Sequence, residues 1–195
     1  MPKLGMEPIR REALVKATIA EIGARGALDV TVSQIAKRAG MSSALAHHYF
    51  GGKEQIFLAA MRHILGVYGA QVRAALAVAD GPRARVEAIV KASFEHENFR
   101  AEVIAAWLNF YVQAQTSQDA WRLLRIYQRR LQSNLVHDLR QLAGDRAPAI
   151  AQGIGAMIDG VYIRQALAGL SLDRAQAVAL ALGYLDRELD AAGQQ

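Results

Sequence analysis

Between Asp29 and Glu54 the chain carries no carboxylate, and in that stretch stand Lys37, Arg38, Lys53, the titratable pair His47 and His48, and the hydroxyls of Thr31, Ser33, Ser42, Ser43 and Tyr49. Cations and O–H donors gathered without competing carboxylates suit phosphate oxygens, the commonest polar targets of proteins on a nucleic acid. A solvated basic surface carries the same charges, so spacing has to decide. Nothing here forms a catalytic constellation: there is no His-Glu-x-x-His, no glycine-rich phosphate loop and no Gly-x-Ser-x-Gly elbow. His47 and His48 are adjacent, so on a helix they point about 100° apart and cannot readily chelate one metal; Glu95-His96-Glu97 has the same difficulty. His63, His96 and His137 read as surface or satisfied core histidines. The absence of cysteine removes thiolate ligands, disulfides and Cys nucleophiles together. No enzyme activity, metal or cofactor is expected.

The spacing of these groups asks for two short helices and the start of a third. Thr31 is a plausible N-cap, accepting from the N–H of Gln34, for a helix through Ala39. Gly40 then suits a left-handed turn, Met41 the angle between helices, and Ser42 the cap of the next. That second helix, Ser43 to Phe50, spans roughly 13 Å counted over about nine residues, comparable with the ~12 Å major groove. Its first turn offers small or adaptable side chains, Ser43, Ala44 and Leu45, and His47, His48 and Tyr49 follow as donors. Lys53 opens the next helix, where a cation beside free backbone N–H groups makes a phosphate clamp.

Charge is distributed accordingly. Of the net +5, residues 1–65 hold nine Lys/Arg against five Asp/Glu, leaving fourteen against thirteen in the other 130. Prolines occur only at 2, 8, 82 and 148, and apolar residues recur every three or four positions, as in Leu131, Leu135, Leu139 and Leu142 or in Val178, Leu182, Leu185 and Leu189. The fold expected is all-α, about nine helices broken at Gly26, Gly40, Gly51-Gly52, Asp80-Gly81-Pro82, Gly144-Asp145 and Gly169-Leu170-Ser171. Helices are predicted over 53–78, 148–168 and 172–190. No stretch reaches the ~20 apolar residues of a membrane span, and the opening residues lack the apolar run of a secretory leader, so the cytoplasm is the expected compartment.

At these residues the sequence resembles the TetR family of bacterial repressors, whose pattern is matched by Thr31, Ile35, Ala36, Ala39, Gly40, Met41, Ser42, His48, Tyr49, Phe50, Lys53 and Glu54. The resemblance covers about residues 8–68. It implies a helix-turn-helix (31–50) that holds double-stranded operator DNA, followed at 69–195 by a ligand-binding and dimerisation domain. Ile35, Ala36, Ala39, Met41 and Phe50 are expected in the core of the three-helix head. The expected DNA-contacting set is Thr31, Ser33, Ser42, Ser43, Ala44, Leu45, His47, His48, Tyr49 and Lys53. Tyr49 has an alternative, packing its ring in the helix junction. Ala44, Leu45-Ala46 and His47 depart from the commonest family residues, and Leu45, which cannot donate to a base, would favour a thymine methyl, so operator sequence cannot be copied from relatives.

The likeness continues through Met1–Met6 with Ile9-Arg10-Arg11, Trp107-Leu108-Asn109-Phe110, Arg129–Val136, and Ile158-Asp159-Gly160-Val161 with Arg164, which resemble the branch of the family that represses choline uptake and oxidation to glycine betaine. That resemblance implies choline as inducer and a nucleoid-bound cytoplasmic homodimer on a pseudo-palindromic operator. A permanent cation with no N–H to donate needs aromatic faces and a carboxylate. Trp107 and Tyr111 share a helical face with Phe110, and Tyr162 follows Asp159 by three residues, so Trp107, Tyr111, Asp159 and Tyr162 are the expected ligand residues. The same aromatic stripe is ordinary core in a helix without a ligand, and Asp159 could pair with Arg164. Gly153, Gly155, Gly160 and Gly183 would allow close helix approach where the last two helices meet a second copy. Two other readings stay open: a repressor answering another small ligand, and a DNA-binding assembly protein with no inducer.

Overall fold

A computed structural model describes residues 5–25, 29–168 and 173–193. Expected breaks at Gly26 and Gly169-Leu170-Ser171, and the opening Met1–Leu4, lie outside the described residues. Among the described residues there are nine α-helices and no strand: α1 (Met6–Arg25), α2 (Val32–Arg38), α3 (Ser43–Phe50), α4 (Lys53–Val78), α5 (Gly81–Ser93), α6 (Ala101–Gln113), α7 (Gln118–Ala143), α8 (Ala147–Ala168) and α9 (Arg174–Ala192), with a 3₁₀ turn at Gly144–Arg146. The expected all-α class holds. No helix among the described residues is long and apolar enough to cross a membrane.

Two compact units divide the chain. The first takes residues 1–65 and 101–121, the second 66–100 and 122–195, so α4 and α7 contribute to both. In the first, α1 buries Leu14, Val15, Ala17, Thr18, Ile19 and Ile22, and Thr18 satisfies its hydroxyl on the carbonyl of Leu14 at 2.8 Å. α6 packs along α1 closely enough that a Cβ on Gly23 would fall 2.7 Å from the Cα of Glu102. The apolar faces of α2 (Val32, Ile35, Ala36) and α4 (Ile56, Phe57, Leu58, Met61, Ile64) are buried in the same unit.

The second unit buries Val86, Ile89 and Val90 of α5, Leu131, Leu135 and Leu139 of α7, and Ile150, Ile154 and Ile158 of α8. Its buried carboxylate, Asp138, accepts from Arg85 Nε at 2.9 Å, and Arg85 also donates to the carbonyl of Leu76. On α9 the fully buried row is Ala177, Ala181 and Leu185, while Val178, Leu182 and Leu189 of the apolar repeat are half-buried. Alanines at i, i+4 and i+8 let α9 lie close to α5 and α8, and this turns the bulkier side chains toward the margin. Of the four glycines expected to permit close approach, Gly153 is the one that does so tightly: a Cβ there would meet the Tyr184 ring.

Candidate nucleic-acid interface

The helix-turn-helix is built as its residue types require. Thr31 takes an extended conformation and its hydroxyl accepts from Gln34 N–H at 3.2 Å, while the Gln34 side chain accepts from Thr31 N–H at 2.8 Å, closing a capping box. The reciprocal bond from Gln34 went unread in the sequence. Gly40 turns the chain at φ +68°, where a Cβ is disfavoured, and Met41 N–H donates to the carbonyl of Ala36 at 2.8 Å. Ser42 then caps α3 by accepting from Leu45 N–H at 3.2 Å. Both caps use hydroxyl lone pairs, leaving the Thr31 and Ser42 protons to donate elsewhere.

On α3 the exposed residues are Ala44, His47 and His48, spaced i, i+3 and i+4 on one face. Ser43, Leu45 and Tyr49 are half-buried at its margins, and Ala46 is fully buried beneath it. His47 Nδ1 lies 3.1 Å from the carbonyl of Gly51. A carbonyl only accepts, so Nδ1 carries the proton and Nε2 is presented outward. Thr31, Ser33, Ser42 and Lys53 are exposed.

Three expectations about the head change. Ile35 and Ala36 are buried as core residues, but Ala39, Met41 and Phe50 are only half-buried, because they stand at helix ends or in the turn. The Phe50 ring instead forms a platform for Arg11 of α1, whose guanidinium lies 4.9 Å from its centroid. Tyr49 takes its packing alternative in part: its hydroxyl is 3.4 Å from Arg10 Nη1, Arg11 lies 5.7 Å from its ring centroid, and its ring tilts against His48. Nothing in the spacing between residues 10–11 and 49–50 marks these arginines as partners of the recognition helix. Arg38 pairs with Glu21 of α1 at 2.5 Å, and its guanidinium holds that carboxyl below the ordinary carboxylate range with help from Arg25. Part of the basic charge is therefore balanced from α1.

Beside Lys53 a cavity of about 390 Å³ is lined by Glu54, Phe57, Gln113, Thr116 and Ser117, and Ser117 Oγ donates to Glu54 at 2.5 Å. The turn after α6 is thus joined to the first turn of α4 within the first unit.

The expected ligand residues fall in two places. Trp107 and Tyr111 belong to the first unit, their rings 5.7 Å apart; Trp107 is buried, edge-on to Phe110 at 5.8 Å, and Phe110 meets Phe57. Asp159 and Tyr162 belong to the second. Tyr162 is buried, its hydroxyl donates to the carbonyl of Ser93, and its ring stacks on Phe94 and meets Phe99 edge-on. Burial pushes this phenol's pKa well above its ordinary value, with the charge of Asp159 adding to the shift. Among the described residues no group of His, Asp or Glu is placed to hold a metal ion.

Comparison with known proteins agrees with this geometry. Residues 14–60 match the family described as bacterial regulatory proteins, TetR family, and residues 82–190 match the BetI-type transcriptional repressor C-terminal domain. An HTH-type transcriptional regulator BetI of Brucella anthropi is 55% identical over 190 residues, spanning 97% of this chain and 98% of the relative. A BetI of Rhizobium meliloti is 50% identical over 194 residues, 99% of this chain and 96% of the relative. Among solved structures, a transcriptional regulator of Pseudomonas aeruginosa superposes with TM-score 0.82 at 26% identity over 98% of this chain and 95% of its own. One from Saccharomonospora viridis, solved in complex with choline, superposes at 0.80 with 19% identity over 90% and 95%, a likeness of fold. The chain belongs to the TetR family of helix-turn-helix DNA-binding transcriptional repressors, with a BetI-type C-terminal domain.

Proposed function

We propose that the protein represses genes for choline uptake and its conversion to glycine betaine, and that choline releases it from their operator. The observation that carries this reading is identity of 50–55% to BetI regulators over nearly the whole chain, ligand-binding half included. Residues 8–68 hold DNA, and 69–195 bind the ligand and a second copy; the two family matches, at 14–60 and 82–190, support that division. The exposed α3 face, Ala44, His47 and His48, enters the major groove with Leu45 and Ser43 at its edge, while Thr31, Ser33, Ser42, Tyr49 and Lys53 meet phosphates.

A homodimer on a pseudo-palindromic operator is the working assembly, in the cytoplasm. Exposed Ile163 and Leu167 on α8 and Leu180 on α9 support a pairing surface there. For the inducer, Asp159 and Tyr162 carry the proposal, because a carboxylate beside a buried aromatic suits a permanent cation. Trp107 and Tyr111 are the further candidates. Induction requires choline to bind the DNA-free conformation more tightly, and operator affinity cannot fall by more than that preference.

Thermal unfolding with and without choline tests the ligand claim. A ligand specific to the native state raises the midpoint as its concentration rises. Choline is expected to do so and Asp159→Asn to blunt the rise; no shift in the unaltered protein would contradict it. Trp107→Ala tests the first unit's candidates: a weakened choline response with operator binding intact is expected, and an unchanged response removes Trp107 from the ligand set.

A further inference from the structure

The second unit gathers phenols that no helical spacing announces. Tyr68 on α4 and Tyr127 on α7 meet edge to face, centroids 5.9 Å apart. The Tyr68 hydroxyl lies 3.3 Å from Ser93 Oγ at the end of α5, and Tyr162 donates to the same residue's carbonyl. Ser93 Oγ already donates to the carbonyl of Ile89 at 3.1 Å, so the proton shared with Tyr68 is the tyrosine's. One serine therefore consumes the protons of two phenols from different helices. Asp159 stands three residues before Tyr162 on α8, one helical turn away, and burial raises both phenols, Tyr68 to about 12, with the Asp159 charge adding to each shift.

These groups have separate jobs. Phe94 and Phe99 hold the Tyr162 ring from the apolar side. Tyr68 and Asp159 are only half-buried, so this edge of the cluster is not sealed in the core. Its chemistry there is electron-rich rings, two phenols whose protons are spent, and a carboxylate. That environment offers those protons to no anion, and it favours a cation that needs aromatic faces and charge in place of a hydrogen-bond acceptor.

We infer that Tyr68 and Tyr127, with Asp159 and Tyr162, form the seat of the quaternary ammonium group of the inducer, Ser93 fixing the phenol rings. This rests on choline as the inducer and adds the residues that recognise its charge.

Calorimetric titration of the full-length protein with choline and with its neutral carbon isostere, 3,3-dimethylbutan-1-ol, tests it. The unaltered protein should prefer choline by about tenfold or more, the scale of a desolvated cation–π contact. Tyr68→Leu and Tyr127→Leu should each weaken choline by about tenfold, whereas Tyr68→Phe, which keeps the ring and loses only the Ser93 bond, should cost much less. Asp159→Asn should narrow the preference for choline over the isostere, a readout that misfolding does not mimic. Operator binding without ligand should persist in every variant. Choline binding by the unaltered protein that both leucine variants retain, or an undiminished preference in Asp159→Asn, overturns this seat while sparing choline as inducer. Absence of choline binding in the unaltered protein overturns both.

Discussion

Side chains in the head divide between those that shape it and those left to touch DNA. Ser42 caps α3 through one hydrogen bond from Leu45 N–H, so Ser42→Ala should cost about 1 kcal/mol of stability in denaturant melts. Lys53 is exposed at the start of α4, and Lys53→Ala should weaken operator binding evenly across sequences and lower the salt slope by about one. Leu45→Thr should instead alter which bases are preferred and leave that slope unchanged, since it exchanges an apolar edge for a hydroxyl. The caps and the Gly40 turn were legible in the sequence because they depend on neighbours three or four positions away. The stacking of Arg11 on Phe50 and the Arg38–Glu21 pair were not, because they join α1 to residues 17–39 positions further on. The phenols of the second unit have a pH signature of their own. An unfolded tyrosine loses its proton near its ordinary value of about 10, while folded Tyr68 holds its proton to about 12. Above pH 10 the unfolded chain therefore binds fewer protons, and stability should fall with rising pH until about 12 by up to ~1.4 kcal/mol per unit for each such phenol. Tyr68→Phe should flatten that fall in melts taken across pH 9–12.

Among the described residues helices meet closely at two glycines, with different consequences. At Gly23 an added methyl would run into the Cβ and backbone of Glu102, 2.2 and 2.7 Å away, so α6 would have to retreat from α1. At Gly153 it meets the ring of half-buried Tyr184, which can swing aside. Gly23→Ala should therefore destabilise by about 1–3 kcal/mol in thermal or denaturant unfolding, and Gly153→Ala by less; the reverse order would contradict the packing described. Element positions were largely legible, with α4 at the expected 53–78 and α8 within one residue of its expected start. The buried row of α9 was not: leucine and valine mark an apolar side, but alanines set how near a helix can come, and nearness decides which row is buried.

At the scale of the whole molecule, basic charge and the helix-turn-helix fall in one compact unit, which also takes α6 and the start of α7. Sequence position alone puts α6 in the C-terminal part. Its packing on α1 is a property of the folded chain, as is the joining of Ser117 to Glu54. The expected ligand residues show the same limit. Periodicity groups Trp107 with Tyr111 and Asp159 with Tyr162, but residues from separate helices, such as Tyr68, Ser93 and Tyr127, become neighbours only through the fold. The measurement that bears most directly on the central claim is titration of the DNA upstream of the protein's own operon, at fixed and stated salt, with and without choline. Saturable, sequence-selective binding that choline weakens is the expected result; binding that no choline concentration alters would contradict choline as the inducer, and loss of sequence selectivity would contradict operator recognition itself.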